Sequence, residues 1–204
     1  MKTIMAFLAA YLIGSISFGY LAGKLIKGID IRNFGSGNAG TTNIQRTLGT
    51  MPAIIVLLLD ISKGLLVVWI ARALTGSEIV QMAAGVTAIV GHNWPLFFRF
   101  RGGRGIATSI GVLLGVAPLV LLIAASIGVS LIALTRYVSL GSITGALAIP
   151  IIMIHFHLPP LYLIFGAGIA MMAIWRHREN ISRLLRGTER KLGKKANMGN
   201  EVKK

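Results

Sequence analysis

The sequence predicts an all-α integral membrane protein of about seven transmembrane helices, with the N-terminus outside and the C-terminus inside. Three observations carry this reading. Apolar residues make up 54% of the 204 positions and charged residues 13%, about half the charged share of a soluble domain. The mean hydropathy is +0.75. The apolar residues form long runs, and most of the 21 Lys and Arg lie between the runs or in the tail, as cytoplasmic loops do. A net charge of +15 would suggest a nucleic-acid partner in a soluble chain. The placement of the charges argues for a membrane and against nucleic acid.

The first run, Thr3–Leu25, is long for a signal peptide and has no convincing small-x-small cleavage site, so it reads as a retained span. Ala53–Leu74 and Ile79–Phe98 each reach the length that a bilayer requires. Ile106–Thr135 is too long for one span: as a single helix it would extend about 45 Å. Pro118 in its middle removes a backbone donor and predicts a break into two short spans. Tyr137–Ile154 and Pro160–Trp175 follow, separated by the turn His155–Pro159. Charge bias sets the orientation. The Lys24–Arg46 segment holds Lys24, Lys27, Arg32 and Arg46 against Asp30 alone, and the chain after Trp175 holds ten basic residues against three acids. Both fall inside only if the run around Pro118 crosses twice. The chain then divides into one transmembrane domain, residues 1–186, which would carry any site, and a basic, mobile cytoplasmic tail, residues 187–204.

The longest polar stretches all fall on the inner side in this arrangement. The first runs from Arg32 to Arg46. Gly35, Ser36, Gly37, Asn38, Gly40, Thr41, Thr42 and Asn43 crowd into it. Glycines permit close backbone approach and left-handed conformations, and successive N–H groups in such a turn form an anion nest. A helix beginning near Thr41 would add its own N–H groups. Arg32 and Arg46 flank the loop with donors suited to phosphate. Neither a Walker A ending nor a strand-led dinucleotide fingerprint is present.

The second stretch runs from Gly91 to Gly105. His92 lies inside a span, where an ionisable residue is a functional candidate; a neutral His bonded to a neighbouring helix explains it equally well. Gly102, Gly103 and Arg104 open the next helix, again an arrangement for phosphate. Arg99 and Arg101 fit attraction to anionic lipid. The third stretch, Arg176–Arg186, leaves the last span as a helix. His177 and Asn180 share one face of it, with Arg176 and Arg183 close by. Arg178, Arg186 and Arg190 face water or headgroups. Two smaller features remain. Asp60 and Lys63 are spaced to pair on one face of the second span. Ser142 sits in an inner turn with Arg136.

No carboxylate cluster has metal-ligand spacing, so neither metal nor cofactor is expected. There is no Cys, no H-x-x-x-x-D box and no G-x-S-x-G elbow. What remains is a cationic, glycine-rich, metal-free site suited to anionic phosphates and one lipidic partner.

Gly35-Ser36-Gly37-Asn38-Ala39-Gly40-Thr41-Thr42-Asn43, then Gly91-His92 through Pro95 to Gly102-Gly103-Arg104-Gly105, then His177-Arg178-Glu179-Asn180-Ile181 resemble the three motifs of the bacterial acyl-phosphate:glycerol-3-phosphate acyltransferase family, PlsY. The resemblance covers nearly the whole chain. It departs at Arg104, where the family usually has Lys; the charge is kept and the donor geometry changes. The resemblance implies transfer of a fatty acyl group from acyl phosphate to the 1-hydroxyl of glycerol 3-phosphate. The products would be 1-acyl-glycerol 3-phosphate and phosphate, made at the cytoplasmic face of the bacterial inner membrane. The expected catalytic residues are His177, Asn180, Ser36 and Arg104. The expected phosphate- and substrate-binding residues are Gly35, Gly37, Asn38, Gly40, Thr41, Thr42, Asn43, Arg46, His92, Gly102, Gly103 and Ser142. The base is left open among His177, His92 and the donor phosphate itself. The rival reading is a transporter or channel for organic phosphates, against which stand the nearly charge-free outer turns and the lack of a repeat.

Overall fold

The structure is a computed structural model that describes residues 1–193. Among the described residues it is all-helical. The order is α1 (Lys2–Gly14), α2 (Phe18–Lys27), α3 (Thr41–Thr47), α4 (Thr50–Thr75), α5 (Glu78–Asn93), α6 (Ile106–Val116), α7 (Pro118–Thr135), α8 (Val138–His155), α9 (Pro160–Arg176) and α10 (Arg178–Leu185). Short 3₁₀ turns occupy Ile31–Asn33 and Leu96–Phe98.

Four helical segments are long and apolar enough to cross a membrane: Lys2–Lys27, Thr50–Thr75, Pro118–Thr135 and Val138–His155. Helices α6 and α9 are shorter and apolar. The helix does break at Ala117, with Pro118 as the first residue of α7; there its missing N–H costs nothing. The first run differs from its expectation as a continuous span. It breaks at Ser15–Ser17, between α1 and α2. Two distant groups meet the polar atoms of that break. Lys63 Nζ of α4 donates to the Ile16 carbonyl at 2.7 Å, and Ser15 Oγ accepts from Leu96 N at 3.3 Å.

Helix α4 packs against α1, α3, α5 and α6, while α7, α8 and α9 follow one another as paired neighbours. The contacts are made by small residues, as membrane helices require when no hydrophobic force drives them together. Gly14 meets the backbone of Ala88, Gly64 that of Thr108, and Gly128 that of Gly141. Large apolar side chains such as Leu8, Leu58, Trp69, Leu122, Ile151 and Ile164 point outward. In water they would form an aggregation-prone surface; in lipid they need no cover. The interior has one main cluster around Ile89, Val112, Leu113, Met153 and Phe165. A small one of Ile31, Ile44 and Val56 lies under the first polar loop.

The α4–α6 seam gives a test of the packing. A Cβ at Gly111 would run into the Ile61 carbonyl, whereas one at Gly168 in α9 meets nothing within 4 Å. Gly111→Ala should therefore destabilise by about 1–3 kcal/mol through overpacking. Gly168→Ala should be neutral or slightly stabilising, since alanine is the better helix former. Thermal unfolding of both variants in one detergent measures the difference; equal shifts would contradict the close packing.

Candidate active site

The loop between α2 and α4 is built by its own side chains. Gly35 and Gly37 have φ of 59° and 69°, a region that side chains with a Cβ avoid. Asn43 is buried and ties the loop together. Its Nδ2 donates to the Ile31 and Phe34 carbonyls at 3.2 and 3.0 Å, and its Oδ1 accepts from Ser36 N at 2.8 Å. Asn38 Oδ1 accepts from Gly40 N at 2.7 Å. Both amides are thus engaged by the loop. Arg32, expected to flank the loop as a phosphate donor, is committed elsewhere. Its Nε and Nη2 hold Asp30 at 2.9 and 2.7 Å, and Nη1 donates to the Phe98 carbonyl at 2.6 Å. It joins the first loop to the second. Helix α3 starts at Thr41, where the sequence placed it.

The second loop folds back on the end of α5. Gly103 N donates to the His92 carbonyl at 3.1 Å and Gly102 N to that of Asn93 at 3.3 Å. The two glycines leave no room for a Cβ beside His92 and Pro95. Their absence of side chain serves close packing. Next to them Arg104 makes no hydrogen bond to any described residue. Burial, helped by the nearby Arg183 charge, lowers its pKa to about 10, so it stays cationic at neutral pH. His92 Nδ1 lies 3.0 Å from Lys63 Nζ, and Lys63 Nζ lies 2.7 Å from Asp60 Oδ1. The spacing-derived Asp60–Lys63 pair is present, with His92 as its third member.

The third stretch turns at His177, between α9 and α10. His177 is 3% exposed. Its Nδ1 lies 2.8 Å from the Ala173 carbonyl; a carbonyl only accepts, so Nδ1 carries the hydrogen and Nε2 the lone pair. Burial and the Arg104 charge push its pKa down to about 4. Asn180 Nδ2 donates to Glu189 Oε1 at 2.7 Å, which fixes the amide, and its Oδ1 is buried without a hydrogen-bond partner among the described residues.

These parts surround one cavity of about 350 Å³. Ser36, Asn38, Gly40, Thr41, Thr42, Asn43 and Arg46 line it from the first motif, His92 and Arg104 from the second, His177 and Asn180 from the third, and Ser142 from α8. Gly35, Gly37, Gly102 and Gly103 do not line it; they shape the loops behind it. Ala53, Ile54, Leu57, Ile106, Ala107, Ile132 and Val138 give its other walls an apolar character. No group of three His, Asp or Glu side chains among the described residues is placed to hold a metal ion.

The lining residue Glu189 escaped the sequence reading. Glu189 accepts from Ser139 Oγ at 2.9 Å, from Asn180, and from Arg183 Nε at 2.7 Å. Burial works against its charge, but these hydrogen bonds from Arg183, Asn180 and Ser139 hold its pKa below the usual carboxylate value. The signal available was an acid four residues beyond the end of α10. The basic, Gly-, Asn- and Lys-rich composition from Gly187 onward masks it, because such composition reads as a mobile tail. Packing continues past that boundary: the Arg190 carbonyl accepts from Arg46 Nη2 at 3.1 Å, and Leu192 N donates to the Arg136 carbonyl at 2.7 Å. The remainder of the expected tail, 194–204, lies outside the described residues.

His177 makes the site sensitive to acid. Its ordinary pKa is 6.5 and its folded value about 4, so the unfolded chain binds more protons between these values and stability falls as pH drops through them. The full contribution is roughly 3 kcal/mol. His177→Asn removes it, so the stability difference between the two proteins should change by about that amount from pH 7 to pH 4. Chemical or thermal unfolding in one detergent reads it; a difference independent of pH would contradict the buried neutral imidazole.

With this geometry in place, the relatives of the chain are informative. A family model described as glycerol-3-phosphate acyltransferase matches residues 4–187. A glycerol-3-phosphate acyltransferase of Desulforamulus reducens is 47% identical over 193 residues, 95% of this chain and 96% of that one. One from Thermoanaerobacter sp. is 49% identical over 195 residues, 96% and 98% of the two chains. The crystal structure of PlsY, an integral membrane glycerol 3-phosphate acyltransferase, in its glycerol 3-phosphate form superposes with a TM-score of 0.90 at 39% identity, over 95% of this chain and 96% of that one. Its lysophosphatidic acid form gives 0.87 at 38% identity, over 95% and 97%. Likeness of this extent in sequence and in fold, across all three motif-bearing loops, places the chain in the glycerol-3-phosphate acyltransferase family, PlsY.

Proposed function

We propose that the protein transfers a fatty acyl group from acyl phosphate to the 1-hydroxyl of glycerol 3-phosphate, giving 1-acyl-glycerol 3-phosphate and inorganic phosphate. One observation carries the reading. The cavity combines Arg104, a cation with no hydrogen-bond partner among the described residues, with two hydrogen-bond acceptors, His177 Nε2 and Asn180 Oδ1. A molecule bearing a phosphate and neighbouring hydroxyls matches that set. Arg46 supplies a second guanidinium, with Nε buried and without a hydrogen-bond partner among the described residues; a second phosphate, that of the donor, suits it. The apolar walls suit an acyl chain running out between helices.

In this reading the substrate hydroxyl oxygen attacks the acyl carbonyl carbon. The bond between that carbon and the phosphate oxygen breaks, and phosphate leaves with the electron pair. Acyl phosphate is a mixed anhydride with a good leaving group, so positioning and charge stabilisation supply most of the catalysis. His177 accepts the hydrogen bond that orients the hydroxyl. An imidazole with a pKa near 4 is a weak base, and a phosphate oxygen, whose second pKa lies near 6, takes the proton more readily. Arg104, with Ser36 and Ser142 on the same walls, steadies the developing charge. No metal ion or other cofactor takes part, and acyl-CoA is not the donor.

The same reading sets the protein in the bacterial inner membrane with seven spans: α1 with α2, then α4 to α9. The N-terminus lies outside and the site faces the cytoplasm, as the basic loops require. Single cysteines introduced at Glu78 and Arg186 in this Cys-free chain should be labelled from opposite sides; labelling from one side would overturn the arrangement.

Purified protein in detergent micelles, given acyl phosphate and glycerol 3-phosphate, should release phosphate and form the monoacyl product. Excess EDTA should leave the rate unchanged. A transporter would release nothing in micelles, and loss in EDTA with rescue by a divalent cation would refute the metal-free chemistry.

Arginine variants probe the phosphate contacts. Arg104→Ala and Arg46→Ala should each lower kcat/KM by about ten- to a hundredfold, the value of one charge-assisted hydrogen bond. Arg104→Lys should keep most activity if charge alone is used and lose a measurable part if the fork is used. Losses equal to those of Arg99→Ala and Arg101→Ala would show that the arginines only anchor lipid.

A further inference from the structure

Gly103 is held from every side by groups that the proposed chemistry leaves without a task. Its N–H donates to the His92 carbonyl at 3.1 Å. Its carbonyl accepts from Arg176 twice, from Nη2 at 2.6 Å and Nε at 3.2 Å. The place where its Cβ would stand is filled by the His92 ring, with Nε2 nearest. Arg104, the cation of the cavity, is the next residue.

His92 is itself braced. A lysine ammonium has three hydrogens and no lone pair. Lys63 Nζ donates to the Ile16 carbonyl at 2.7 Å, forms an ion pair with Asp60 Oδ1 at 2.7 Å and lies 3.0 Å from His92 Nδ1, which is 3.5 Å from the same Asp60 oxygen. Since the ammonium can only donate, His92 Nδ1 accepts and its hydrogen sits on Nε2, toward Gly103. Asp60 and Lys63 are 1% and 3% exposed. Buried charges deep among helices need this degree of satisfaction to persist. The network joins the α1–α2 break, α4 and α5 into one rigid support. On the opposite side Arg176 lies over the Trp94 ring, 5.2 Å from its centroid, which fixes the second jaw.

We propose that His92 and Arg176 are positioning residues for acyl transfer: braced by Lys63 and Asp60 on one side and by Trp94 on the other, they clamp Gly103 and so aim Arg104 into the cavity. His92 then acts through Arg104 and touches no substrate. The inference rests on the acyltransferase reading of the site.

A double-mutant cycle tests it, with kcat/KM measured in micelles and folding followed by gel filtration and thermal unfolding. His92→Ala should lower kcat/KM on the order of tenfold when Arg104 is present and by less than about twofold in Arg104→Ala protein, because residues acting through one group are not additive. His92→Gln keeps an acceptor for Lys63 and should restore most of the activity; a general base would not be replaced by an amide. If His92→Ala is not recovered folded, Arg176→Met carries the same cycle from the other jaw. Losses that multiply in full with that of Arg104→Ala, or a His92→Gln protein as inactive as His92→Ala, would overturn the proposal. Wild-type protein that forms no product would instead refute the functional reading on which it rests.

Discussion

A cation taken out of water must meet a carboxylate or a set of carbonyls, or else wait for an anionic ligand. That constraint governs this molecule, where basic residues outnumber acids 21 to 6. Most of the inward-facing cations are accounted for one by one. Arg32 holds Asp30, Lys63 meets Asp60, Arg183 meets Glu189, and Arg176 caps a backbone carbonyl. Among the described residues Arg104 has no such partner, and Arg46 reaches a single carbonyl of the docked segment. The proposed ligands follow from what is left over: each of these two arginines on the cavity wall is assigned one phosphate, beside the acceptors His177 Nε2 and Asn180 Oδ1.

Hydrogen-bond commitments also separate residues that recognise from residues that shape. The first loop is dense in hydroxyls and amides, yet Asn38 and Asn43 are committed to the backbone around them. Ser36, Thr41 and Thr42 remain on the cavity wall. Gly102 and Gly103 serve by what they lack, letting the loop press onto His92. Glu189 fixes the Asn180 amide so that its oxygen is the atom left over, and it does so from a segment beyond α10. Glu189 and Leu192, both from beyond α10, thus line the cavity without a role in the proposed reaction.

The sequence revealed the loops more readily than the partners within them. The break before Pro118 was legible because proline lacks the donor that a continuous helix needs. The Ser15–Ser17 break was not, because no strong helix breaker marks it and its support comes from Lys63, 47 positions away. Arg32 was legible as a fork-shaped cation, but a turn brings Asp30 onto it two residues back. All twelve expected site residues that line the cavity lie in or beside polar stretches, where composition is a guide. Glu189 lay in a segment whose basic, polar composition resembles a free tail, and only the tertiary contacts of Ser139, Asn180 and Arg183 distinguish it. The Asp60–Lys63 spacing gave the pair but not its third member, since His92 reaches it from another helix.

The most direct measurement is an experimental structure of this protein with glycerol 3-phosphate bound. The account predicts the phosphate within hydrogen-bond distance of Arg104 or Arg46, and a hydroxyl of the ligand on His177 Nε2 or Asn180 Oδ1, with His92 still on Lys63. A phosphate held instead by Arg99 and Arg101 at the surface, with the cavity arginines untouched, would contradict it.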